Sequence, residues 1–212
     1  MSVLDTAVLN EIQYHVIETP NSGASWTSLW TQAEILNYFN ERQTRLLKDT
    51  QVVLTRVSLW TIPNVTRHPL PADWLTTSRV AWQTSPGAYS PIPRATGYES
   101  DLADSAWDYD HVRIPTAYTE VDTPNLQIQL QPASFDNGLI DLLYTAVGTT
   151  LTAAGVALVV PDDAVWIVKW GVVADMLWKL GHAHDPARAA YAEARYTMGV
   201  ALLRSILEGG WF

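Results

Sequence analysis

Apolar residues recur at helical spacing near both ends of the 212-residue chain and at alternating spacing in its middle. Val3, Leu4, Ala7, Val8, Ile12 and Val16 place an apolar face on a helix over residues 3–18, which the TPNSG run at 19–23 ends. A second helix is predicted over 31–48, with Ala33, Ile35, Leu36, Phe39, Leu46 and Leu47 on its apolar side. Thr31 can cap it, and Glu34, three residues later, completes a capping box. Arg42, Arg45 and Lys48 lie on or near one face of this helix and read as a solvated surface.

From about residue 51 to 160 the pattern changes to Thr, Val, Pro and Trp with few helical stretches. Residues 51–60 and 79–83 read as strands. LQIQLQ at 126–131 alternates strictly, which predicts Leu126, Ile128 and Leu130 toward a core and the glutamines toward water. The Asp136-Asn137-Gly138 turn then predicts a hairpin returning along 139–147. The stretch 84–97 contains three prolines and is expected to be an exposed loop.

The last third is helical again. Pro161-Asp162-Asp163 starts a helix that runs to Leu180, where Gly181 stops it. Asp185 followed by Pro186 is an N-cap with proline at the first helical position. Along the helix that follows, Ala187, Tyr191, Ala194, Met198, Ala201 and Ser205 form a stripe of mostly small residues, onto which a neighbouring helix can pack closely. The two last helices are expected to form an antiparallel hairpin. The fold class predicted is α+β: N-terminal helices (1–50) and a C-terminal helical hairpin with a docking tail (161–212) form one helical body, with a strand-rich domain (51–160) inserted.

Composition narrows the function. A net charge of −9 argues against gripping nucleic acid through its phosphates, but not against letting it pass, since like charges repel. With no cysteine, disulfides, thiolate metal sites and cysteine nucleophiles are excluded. The N-terminal residues lack the pattern of a secretory signal, and the most apolar stretch, 164–180, is broken by Lys169, Asp175 and Lys179, so a soluble protein is expected. Ten tryptophans suit either a core or subunit interfaces.

Candidate chemistry is sparse. His182, His184 and Asp185 resemble a metal site, but metal-binding histidines on a helix fall four apart, and here the three sit in a turn where Asp185 already serves as a cap. Glu99, Asp101, Asp104, Asp108 and Asp110 lack calcium-loop spacing and read as solvated surface. No nucleophile or phosphate-loop motif is present, and neither a cofactor nor enzymatic activity is expected. The chain closes with two glycines, Trp211 and Phe212, a pair of large rings that needs a docking place.

Taken in order, WTQAEILNYFNERQTRLL at 30–47, LPADWL at 70–75 leading into RVAWQ, Trp107 in an acidic stretch, Gln129 to Pro132, LLYTAV, the Pro161 helix start and the final AYAEARYTMGVALLR resemble phage head–tail connector or adaptor proteins of the tail tubular protein A type. The likeness covers roughly 26–207, and the first helix and the proline-rich stretch depart from it. It implies a structural virion protein: a dodecameric ring below the portal protein at the neck, joined to a tail or nozzle protein, through which DNA passes without sequence-specific binding. It also implies assembly in the host bacterial cytoplasm, no membrane and no catalytic residues. On this basis Trp166, Trp170, Trp178, Tyr191 and Met198 are candidates for subunit contacts, and Leu207, Trp211 and Phe212 for docking on the portal or a neighbour. The rival reading is a carbohydrate-binding or glycan-processing module using exposed tryptophan with Asp104, Asp108 or Asp110; a metal hydrolase built on His182 and His184 is a third.

Overall fold

A computed structural model describes residues 5–15, 30–103, 114–121, 126–152, 155–181 and 184–208. The fold is α+β, and the chain divides into two compact units, Met1–Val53 with Val147–Phe212, and Leu54–Ala146.

The first unit is helical: α1 (Asp5–His15), α2 (Gln32–Thr50), α4 (Val165–Trp178, after a short 3-10 turn) and α5 (Pro186–Glu208). The predicted capping box starts α2. The Thr31 hydroxyl accepts from the Glu34 N–H at 3.2 Å, and the Glu34 carboxylate accepts from the Thr31 N–H at 2.8 Å. Gln51 ends α2 in the left-handed conformation (φ 52°), its N–H donating to the Leu47 carbonyl. Residues 51–54 are therefore a helix exit, and the strand expected from 51 begins only at Thr55.

Residues 147–152 and 155–160 belong to this unit although they form no α-helix, and α2 holds part of their backbone. Asn40 exchanges two hydrogen bonds with Leu151 (3.1 and 2.8 Å), and the Gln43 amide accepts from the Val159 N–H and donates to the Thr149 carbonyl. Gln43 is buried, and these bonds give its amide the partners that a buried polar group needs.

Helices α4 and α5 run antiparallel, with Gly199 against Ile167 and Trp166, and Gly171 against Tyr196 and Arg42. A β-carbon on either glycine would come within 2.9 Å of those side chains, so both are places where helix axes approach closely. Asp185 caps α5 through the Arg188 N–H at 3.0 Å, as its position before Pro186 predicts.

The second unit holds two antiparallel sheets. One has the order β1 (Thr55–Trp60), β7 (Leu139–Ala146), β3 (Trp74–Ser85), β4 (Ala88–Ile92); the other is β2 (Arg67–Pro69), β6 (Gln127–Gln131), β5 (Ala117–Val121). Helix α3 (Gly97–Ala103) follows β4. Val80, Trp82, Ile92, Ile140, Leu142 and Tyr144 from the first sheet join Tyr118, Ile128 and Leu130 from the second in one core. On β7, Asp141 is fully buried and paired to Arg56 of β1 at 2.5 Å and Arg79 of β3 at 2.9 Å, a charge link across three strands.

Three sequence expectations fail here, each for a tertiary reason. The stretch 84–97 is not simply a loop: Pro86-Gly87 turns the chain (Gly87 φ 83°) and β4 pairs back on β3. Pro91 is tolerated because β4 is an edge strand, where a missing N–H costs no ladder bond. Strands β6 and β7 do not form a hairpin; the chain leaves one sheet after Gln131 and enters the other at Leu139. Finally, Gln129 and Gln131 are buried rather than wet, while Leu126 is exposed. Strand β6 is central in its sheet, and Gln131 accepts from the Ser100 hydroxyl of α3.

Candidate assembly surface

Three of the four described helices of the first unit meet at Arg42. Its guanidinium donates to both Asp175 oxygens (2.6 and 2.5 Å), reaches Glu193 at 2.7 Å and lies 4.8 Å from the centre of the Tyr196 ring. The expected solvated face is thus corrected: Arg42 is buried, while Arg45 stays outside. Burial opposes the guanidinium charge, and the hydrogen bonds it donates to Asp175 and Glu193 more than offset this, so its pKa lies above the ordinary arginine value. The spacing carried a sign of this, because Arg42 continues the Ile35–Phe39 stripe by three residues and precedes Leu46 by four.

A second ion pair ties the start of α2 to the end of α4. Lys179 donates to Glu34 at 2.6 Å. That hydrogen bond, with the Thr31 N–H second, holds the Glu34 carboxyl down to about 2 from an ordinary 4.5. Its stabilising contribution is present above 4.5 and is lost as pH falls toward 2. Glu34→Gln should therefore lower the melting temperature at pH 7 by a few degrees and make almost no difference at pH 2, measured by circular dichroism.

With Arg42 and the two glycines holding the inner side, α5 buries Ala189, Ala192, Tyr196, Gly199 and Val200. The small-residue stripe expected to meet α4 points the other way. Ala187, Tyr191, Ala194, Met198, Ala201 and Ser205 are all exposed, so α5 has two faces that could accept a helix and uses one. On the free side Trp178, Ala190, Glu193, Ala194, Thr197, Met198 and Ala201 line an open groove of about 640 Å³. Tyr191 is 55%, Met198 54%, Leu202 53% and Trp178 48% exposed, a contiguous apolar strip of the kind that soluble monomers rarely leave uncovered.

The other candidate residues fall into place around it. Trp170 is half-buried and meets Tyr191 edge-on at 5.8 Å. Trp166 is half-buried beside Gly199, and Leu207 is half-buried near the end of α5. Trp211 and Phe212 lie outside the described residues, as do His182, Trp107, Asp104, Asp108 and Asp110. His184 is exposed, its ring 6.1 Å from that of Trp178. Among the described residues no three His, Asp or Glu side chains gather as a metal-binding group. Glu99 belongs to a cap instead: it accepts from the Thr96 N–H at 2.7 Å and hydroxyl at 2.9 Å, and these bonds hold its carboxyl below the usual range. Among the described residues no helix is long and apolar enough to cross a membrane.

The family model for the SU10 adaptor protein matches residues 6–209. The chain belongs to the SU10 adaptor protein family. It is therefore a phage head–tail adaptor, a structural protein of the virion, as the order of its sequence segments indicated. No curated protein matches this adaptor. Among solved structures, a chain from the neck of an empty GTA particle computed with C6 symmetry is similar at 17% identity, covering 92% of this chain and 93% of that chain, with a TM-score of 0.29.

Proposed function

We propose that this adaptor closes into a ring of twelve copies between the portal protein and a tail or nozzle protein, with genome DNA passing through its centre. The observation that carries the ring is the free apolar face of α5, where Tyr191 and Met198 stand exposed on a helix already packed along its other side, with Trp178, at the end of α4, lining the same groove as Met198. Trp170 extends that contact surface, Trp166 backs it, and Leu207 with Trp211 and Phe212 serves docking on the portal or a neighbouring copy. The net charge of −9 suits a conduit that DNA slides through without adhering.

Mass photometry and electron microscopy of the purified adaptor, alone and mixed with portal rings, test this. The expected result is a closed ring, free or seated on the portal; a chain that stays monomeric in both settings would contradict it. Met198→Glu puts a charge into the contact without touching the inner face of α5. It should keep native circular dichroism and weaken ring formation by roughly 30-fold or more, since burying a carboxylate in an apolar contact costs at least about 2 kcal/mol.

A further inference from the structure

One cation on the free face of α5 is held unlike the others on that helix. Arg188 lies beside Asp185, and Arg204 beside Asp49. Arg195 makes no ion pair among the described residues. Its guanidinium sits 5.5 Å from the ring centres of both Trp170 and Tyr191, and its Nε donates to the Tyr191 hydroxyl at 3.0 Å. The two rings fix the attitude of a planar donor at the surface, which reduces the side-chain entropy it would lose on pairing with a carboxylate. Tyr191, Met198 and Leu202 share this exposed side, and the groove lined by Ala194, Thr197 and Ala201 runs along the other flank of the helix, with Met198 at the border of the two.

Charge indicates what fills the groove. Helix α5 carries Arg188, Arg195 and Arg204 against Glu193 and Glu208, a net +1. The whole chain is −9, so the remainder is −9 − 1 = −10. Arg188 and Arg204 already lie beside acids of their own chain, so what a partner can complement is Arg195, and a second copy of this acidic chain brings the carboxylates to do so. An α5-on-α5 contact could offer Arg195 only Glu208, at the far end of the helix. Glu193 is already held by Arg42, and the free face offers no further acid before Glu208.

We propose that the groove of α5 receives a second copy of this chain through a surface outside α5, with an apolar side chain seated between Trp178 and Met198 and a carboxylate paired to Arg195. Within the closed ring proposed above such a contact is head-to-tail. This rests on the ring reading above and adds which two surfaces meet.

The absence of cysteine permits a direct test. Thr197→Cys, on the groove wall, is labelled with a benzophenone maleimide, photolysed in the assembled full-length protein, and the adducts are mapped by mass spectrometry. The expected adduct joins two copies and lies on a peptide outside 186–208 that contains Asp or Glu. Arg195→Glu in the same background should cut the yield of linked copies at least tenfold, and Arg195→Gln, with native circular dichroism, should cut it severalfold. Adducts on α5 of the other copy, or rings that form with no inter-copy adduct and are indifferent to Arg195→Glu, would overturn the inference while leaving the ring intact. A wild-type chain that is monomeric alone and on portal rings would remove the ring reading and the inference together.

Discussion

Replacing Arg42 with leucine is expected to destabilise the helical unit by about 3 kcal/mol, a fall in melting temperature of roughly 10 °C at pH 7. Leucine matches much of the buried stem, so the loss is not chiefly one of packing. It arises because Asp175 and Glu193 are left facing each other without their shared cation. Breaking a buried ion pair from one side costs about 3–5 kcal/mol, and the lower end applies because both carboxylates keep some contact with water. Lysine should recover only part of the loss, since an ammonium cannot span the two Asp175 oxygens, reach Glu193 and lie over the Tyr196 ring at once. Thermal melts of the three proteins should rank wild type, lysine, leucine. A leucine variant within about 1 kcal/mol of wild type would show that the three helices do not depend on this junction. Removing Asp175 as well should cost less than the sum of the single changes, because the carboxylate stranded by Arg42→Leu is then gone.

Gly138→Ala is expected to be as damaging in the strand-rich unit. A β-carbon there would overlap two carbons of the Trp82 ring, closer than any real contact. Neither side can yield easily. The backbone of Gly138 is held at both its N–H and its carbonyl by Thr61, at 2.9 and 3.0 Å, and the Trp82 ring is buried in the shared core of the two sheets. Overpacking of this kind costs about 3 kcal/mol, the top of its usual range. Trp82→Leu alone should also destabilise, by leaving a void. In the double variant the leucine vacates the space the methyl needs, so urea unfolding should show the pair less damaging than the sum by about 2 kcal/mol. Strict additivity would mean that the ring moves aside and that Gly138 is not required for space.

These two sites differ in how far they could be read beforehand. Arg42 sits at helical spacing between Phe39 and Leu46, and its inward position follows from that periodicity once the charge is set aside. Gly138 looks like the second half of an Asn-Gly turn. Its φ is not among the positive ones, and it is glycine because a tryptophan 56 positions earlier needs the room. Local pattern also could not choose partners for β7, which pairs with β1 and β3 rather than with its sequence neighbour β6. Nor could alternation reveal that Gln131 lies under Ser100 of α3.

The sequence by itself determined the features that depend on neighbours a few residues away. The capping box at Thr31, the Asp185-Pro186 start of α5, the helix–strand–helix order and the family likeness were all written in short segments. Only the tertiary structure decided which side of α5 is used. Both of its stripes have small residues at three- and four-residue steps, and nothing within the helix distinguishes them. Arg42 reaches Glu193 from α2, and Gly199 admits Ile167 from α4. Those contacts between distant residues turn one stripe inward and leave Tyr191, Arg195 and Met198 on the outside of the adaptor.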